Sequence, residues 1–279
     1  MFIFPTTKMK LTSLTNSSTR RAIFILILIS IITTTTIFFL VIKRTKTIDY
    51  ALYGNIQLNP EEFAKYSRLH ITGPANSGTN FAFLQFAENC PKRVTWGGAN
   101  SPWHKHKRIS KEDIGKQKAG EAALVMVKHP LTWMKSMCRK RYFWYGGREN
   151  CPFGKIVKRT NHPEETLNMN NFMEAWNDFY GRYIELEDDI DFVFLRYEDL
   201  LLHTQKVTRI VCGNRMGESF TLRTDPSKKY TVGRKEAILK YTNVENICAD
   251  YEGHEDLIER SLNSDFMVKF GYDYKMCGI

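Results

Sequence analysis

The chain has 279 residues, 43% of them hydrophobic and 25% charged, and a formal net charge of +10. After a leader of about 45 residues, this leaves room for one domain of ordinary size. The charge suits an anionic ligand and would suit nucleic acid equally, but no helix-turn-helix, zinc-finger or RNA-binding pattern is present, so no nucleic-acid partner is expected.

Residues 22–42 form an apolar run without a charge, long enough to span a bilayer. The run is long for a cleaved signal peptide, and no small-x-small cleavage site is evident. The expected organisation is a tail (1–21), a transmembrane signal anchor (22–42), a stalk (43–66) and one α/β domain (67–279). Lys8, Lys10, Arg20 and Arg21 lie on the short side, which favours a cytoplasmic N-terminus and a lumenal domain. All six cysteines (Cys90, Cys138, Cys151, Cys212, Cys248, Cys277) follow the anchor. An even number is compatible with lumenal disulfides, Cys138 with Cys151 being the first pair to test, and buried thiols are the alternative. No cysteine or histidine cluster has zinc spacing, so no metal is expected.

In chain order, residues 68–72 read as a strand and 78–88 as the helix after a Gly-rich turn. A short strand near 93–96 leads into a Gly/Asn/Pro/His loop with a basic end. Residues 122–127 are a continuous apolar run, as expected of a strand buried on both faces. A helix follows from 131, then a long Gly-, Pro- and Lys-rich loop over 146–163. A helix over 169–187, a strand over 191–195 and a helix over 199–211 come next, with helices near 234–241, 254–262 and 264–270. Alternating strands and helices argue for a parallel sheet with helices on both sides.

Two strand-to-helix junctions carry the chemistry. In the first, Gly73 and Gly78 frame a turn that opens a helix and presents backbone N–H groups to an anion. The glycine spacing is that of the NTPase phosphate loop, but Thr79 and Asn80 replace its Lys and its Ser/Thr, which argues against an ATP or GTP hydrolase or kinase. In the second, Lys128-His129-Pro130 ends a strand, with Ser136 on the following helix. Two anion sites on one sheet suggest a nucleotide charged at both ends of its ribose.

Three segments together, Ser77-Gly78-Thr79, Lys128-His129-Pro130 with Ser136, and Arg196-Tyr197-Glu198-Asp199-Leu200, resemble the nucleotide-binding segments of the PAPS-dependent sulfotransferases. The resemblance covers residues 68 to about 212 and implies a P-loop NTPase-like three-layer α/β fold with a central parallel sheet, here preceded by one transmembrane helix. It implies PAPS as co-substrate. Gly73, Asn76, Ser77, Gly78, Thr79 and Asn80 would surround the 5′-phosphosulfate; Lys128 and Ser136, with Arg234 from a later loop, would hold the 3′-phosphate. Tyr197 would lie near the adenine or the phosphates. Glu198 and Asp199 read as charges at the N-terminus of their own helix.

Asn76 stands where the family usually carries Lys or Arg, which neutralises the oxygen that leaves sulfur. Lys105, Lys107 and Arg108 are candidate substitutes, since losing a charge-assisted donor costs several kcal/mol. His106, or His104, is the expected base, and Glu112 and Glu149 are carboxylate alternatives. The resemblance points to a Golgi-like type II protein acting on a carbohydrate or protein acceptor. The alternative is a membrane-tethered nucleotide-binding protein of the same fold, weakly active or inactive.

Overall fold

The computed structural model describes residues 30–31, 58–98, 101–139, 172–223, 233–251, 253, 259, 262–272 and 277. The chain divides into two compact units, Met1–Ile48 and Asp49–Ile279. In the first, Ser30 and Ile31 are described, and both are helical. The rest of the expected anchor, the loop over 146–163, and Cys151 lie outside the described residues, as does the side chain of Cys138. Among the described residues, no helix is long and apolar enough to cross a membrane.

The second unit is built on four parallel strands: β1 (Arg68–Thr72), β2 (Val94–Thr95), β3 (Glu121–Val127) and β4 (Phe192–Arg196), in the order β2-β1-β3-β4. The central pair is in register from Arg68 opposite Glu121 to Thr72 opposite Val125. Side chains alternate between the faces of a strand. Ala123, Val125 and Val127 of β3 therefore enter one apolar cluster, and Ala122, Leu124 and Met126 enter the other. Both faces need a helical cover, which is why β3 reads as an unbroken apolar run.

The first face is covered by α3 (Pro130–Arg139), α4 (Phe172–Glu185) and α9 (Ser264–Lys269), through Trp133, Trp176, Tyr180 and Met267. The second is covered by α1 (Pro60–Ala64), α2 (Thr79–Asn89), α5 (Tyr197–Leu202), α6 (Thr204–Cys212) and α7 (Arg234–Thr242), through Phe63, Phe81, Phe86, Leu200, Val207 and Ala237. Burying one such large apolar side chain is worth about 1.5–3 kcal/mol. A bridge between Cys90 and Cys212 ties the ends of α2 and α6 across 122 residues of sequence. In the chain-entropy account, closing so long a loop stabilises by about 5 kcal/mol. A second bridge joins Cys248, the last residue of α8 (Val244–Cys248), to Cys277.

Most element boundaries fall where the periodicity puts them. The expected helix over 199–211 is instead two helices, because His203 leaves the helical region at φ −120° and ψ 37°. Thr204 begins the second helix, and its hydroxyl bonds back to the Leu200 carbonyl. Phe63 of α1, inside the expected stalk, is buried in the core.

The strand order positions the site. From β1 the chain moves outward to β2, then returns to β3 on the other side of β1. Connections leaving β1 and β3 diverge, and the carboxyl ends of two such strands are where open α/β sheets commonly bind their ligands.

Candidate functional site

The first turn leaves β1 at Thr72 and enters α2 at Thr79. Gly73 and Gly78 have φ of 154° and 93°. A Cβ on Gly73 would lie 2.6 Å from Ser77 Oγ and 2.9 Å from the Met126 carbonyl; one on Gly78 would lie 2.1 Å from Tyr197 Cδ2. Both positions thus need glycine for close approach as well as for backbone. Asn76 has φ 64°, in the left-handed region that asparagine tolerates better than most residues. Its Nδ2 lies 3.4 Å from the Ser136 carbonyl and 3.3 Å from Met137 Sδ, so the side chain ties this turn to α3. The N-terminus of α2 has no side-chain cap. Its first amides have no partner within the helix, which suits an anion.

The loop after β2 lies along this turn. The Gly73 N–H donates to the Lys105 carbonyl at 3.1 Å. Lys105 Nζ bonds Asn80 Oδ1 and sits 4.5 Å from the centre of the Trp96 ring, which stacks on Phe83 at 4.4 Å. Lys107 pairs with Asp113 and Arg108 with Asp178. Of the three candidate cations, Lys105 is therefore the one brought to the first turn. His106 Nδ1 lies 2.7 Å from the Gly73 carbonyl. A carbonyl only accepts, so Nδ1 carries the proton, and in the neutral ring the basic lone pair sits on Nε2. The His104 side chain is exposed, while its carbonyl accepts from Thr72 Oγ1 and the Lys107 N–H.

The second turn ends β3. Lys128 is buried, and its Nζ donates to Ser136 Oγ at 2.8 Å. The ammonium lies 3.8 Å from the ring centre of Tyr241 and 4.9 Å from that of Tyr197. Trp176 Nε1 donates to the Lys128 carbonyl and the Tyr180 hydroxyl to that of Met126, which satisfies the strand where the ladder ends. Trp133 is buried packing and bonds the Ala75 carbonyl at 2.7 Å, joining α3 to the first turn.

The third segment meets both turns. The Tyr197 ring fills the space beside Gly78 and lies under Lys128. Burial, with Tyr241 and Glu198 nearby, holds its phenol well above the usual range. Arg196 and Asp199 form a two-point pair, each contact at 2.8 Å. Glu198 does not serve its own helix terminus alone: it accepts from the His129 N–H, across 69 residues of sequence, at the start of α3. Burial raises its carboxyl above the usual range, against the hydrogen bonds it accepts. Arg234 opens α7 and donates to the Leu201 carbonyl; burial lowers its guanidinium, with Tyr197 opposing.

Among the described residues, Ser77 Oγ in the first turn, both ring nitrogens of His129 in the second and Arg234 Nη1 beside Tyr197 are buried without a hydrogen-bond partner. Orphaned buried groups are rare, and Ser77 Oγ and Arg234 Nη1 are both donors, the kind of group an anion site uses. The structure thus gathers Gly73, Asn76, Ser77, Gly78, Thr79, Asn80, Lys105 and His106 around one turn, and Lys128, Ser136 and Tyr197 around the other. Tyr241 carries no sequence signal, because a tyrosine on a basic helix reads as surface. Among the described residues, no group of three or more acidic, histidine or cysteine side chains converges as a metal site.

Comparison with protein-family models, with curated proteins and with solved structures returns no match.

Proposed function

We propose that the chain is a PAPS-dependent sulfotransferase of P-loop-like fold, anchored in a membrane through residues 22–42. The observation that supports it is the meeting of the two turns at the carboxyl ends of neighbouring strands, each with a lysine bonded to a polar side chain: Lys105 with Asn80, and Lys128 with Ser136. Two cationic corners on one sheet suit a nucleotide with charge at both ends of its ribose, and the orphaned Ser77 Oγ and Arg234 Nη1 support the same reading.

In this reading an acceptor hydroxyl attacks the donor sulfur. The new oxygen–sulfur bond forms as the bond to the 5′-phosphate oxygen breaks, and that electron pair leaves with adenosine 3′,5′-bisphosphate (PAP). His106 Nε2 takes the acceptor proton, the amides at the start of α2 face the sulfuryl oxygens, and Lys105 supplies the charge that Asn76 lacks. The acceptor class is a glycan or a secreted protein, and the domain is lumenal in a Golgi-like compartment.

The second reading, a tethered nucleotide-binding protein without turnover, is favoured by one observation: the Asn76 amide is engaged with Ser136 and Met137. Lys105→Met separates the two. If Lys105 supplies the missing charge, kcat falls by about 100-fold while PAP binding persists; if the chain does not turn over, there is no transfer to lose.

The donor is tested by thermal unfolding of the full-length chain in detergent with PAP, PAPS, or ATP plus Mg²⁺. A ligand at about 100 times its Kd adds about 2.7 kcal/mol. A shift with PAP and PAPS but not with ATP supports the donor assignment. A folded protein that shifts with neither PAP nor PAPS refutes it.

A further inference from the structure

A polar route leads from the C-terminal segment to the second turn. The Tyr272 hydroxyl donates to Glu198 Oε2 at 2.9 Å. Glu198 Oε1 accepts the His129 N–H at 3.0 Å and faces Thr132 Oγ1 at 3.4 Å. The Thr132 carbonyl accepts from Ser136 Oγ at 2.9 Å, and Ser136 Oγ accepts from Lys128 Nζ at 2.8 Å. Tyr272, Glu198, His129, Thr132 and Lys128 are all buried. Such networks inside a protein hold a geometry through the hydrogen bonds they make, and here the link at His129 is its backbone N–H, not its unpartnered ring.

Tyr272 is itself fastened. Arg196 Nη1 donates to the carbonyl of the preceding Gly271 at 2.7 Å, while Nε and Nη2 hold Asp199. The Tyr272 ring meets His129 edge-on at 4.9 Å between centres. Further along, Cys277 is bridged to Cys248. A lysine on a flexible four-carbon stem takes its position from its surroundings. Here Ser136 places Nζ, the first turn of α3 places Ser136, and Glu198 holds that turn.

We infer that Tyr272 and Glu198 are positioning residues for the Lys128–Ser136 pair, so that the C-terminal segment sets the affinity of the second turn for a phosphate group. This rests on the donor reading above, in which that group is the 3′-phosphate of the nucleotide. Neither residue touches the nucleotide in this account; each acts through the start of α3.

The test is calorimetric titration of the full-length chain, wild type and variants, with PAP and with AMP, which lacks the 3′-phosphate. Tyr272→Phe and Glu198→Gln each weaken PAP by about fivefold, the worth of one hydrogen bond, and leave AMP unchanged. The double variant is no weaker than the weaker single variant, because both act through one route. A role confined to folding lowers the thermal midpoint of Tyr272→Phe and leaves its PAP-to-AMP ratio at the wild-type value; that outcome overturns the inference and spares the donor reading. A wild-type chain that binds PAP no better than AMP, or binds neither, overturns both. If Glu198→Gln does not fold, Tyr272→Phe, which loses one hydroxyl, decides alone.

Discussion

Trp133 Nε1 donates to the Ala75 carbonyl across 2.7 Å, with the indole fully buried. The helix of the second turn thus holds the loop of the first. Trp133→Phe removes the donor and leaves that carbonyl in an apolar surround. The expected cost is about 2 kcal/mol, a lost hydrogen bond plus a small cavity. Urea unfolding measures it, and under the donor assignment proposed above the stabilisation by PAP shrinks in the same variant.

Gly78 and Tyr197 share one space. Gly78→Ala puts a Cβ into the Tyr197 ring and strains a backbone at φ 93°. The expected loss is about 2–3 kcal/mol. In a Tyr197→Leu background the steric part is relieved and the strain remains, so the same substitution costs less there. Equal costs in the two backgrounds would refute the contact.

For Lys128, affinity and stability are separable. The ammonium is buried between tyrosine rings and is bonded to a neutral hydroxyl. Lys128→Met removes the cost of burying a charge but also its attraction to the Glu198 carboxyl, so the urea midpoint stays near the wild-type value. Under the donor assignment proposed above, PAP binding falls by about 10- to 100-fold, the worth of a charge-assisted contact. A variant that loses both stability and affinity would give Lys128 a structural role instead.

His129 makes the fold acid-sensitive. Burial, with Arg196 nearby, lowers its pKa from 6.5 to about 3, and neither ring nitrogen has a hydrogen-bond partner. The unfolded chain binds a proton below about pH 6.5 while the folded one does not, so the contribution is fully present above that pH. It is lost as pH falls toward the folded value, with a slope of about 1.4 kcal/mol per pH unit. His70, also lowered by burial, adds in the same direction. His129→Leu flattens the decline in unfolding free energy between pH 6 and pH 4; an unchanged slope contradicts this account.

Much of the frame was legible locally. The apolar run over 122–127 reads as a doubly buried strand because both of its faces are covered, and it forms one. Gly73 and Gly78 mark the first turn because the chain needs positive φ there, and Pro130 marks the start of α3. The break at His203 was not legible, since the apolar spacing runs through it. Nor was the short helix Val244–Cys248. Two side-chain amides on α2, Gln85 and Asn89, bond the backbone at Thr221, over a hundred residues away, and no local pattern announces that.

The site divides in the same way. Lys105, Lys107 and Arg108 are equivalent by sequence, and only the fold distinguishes them, by supplying Asp113 and Asp178 to two and the first turn to the third. Glu198 reads as a charge at its own helix terminus, yet it meets His129 and Tyr272, 69 and 74 residues away. By itself the sequence determined the strands, the turns and the residue types at each strand end, because periodicity and backbone strain act over a few residues. The tertiary structure alone decided the strand order, the pairing of the two turns and the partner of each buried charge. Those contacts join distant segments, and they depend on how both faces of one sheet are covered at once.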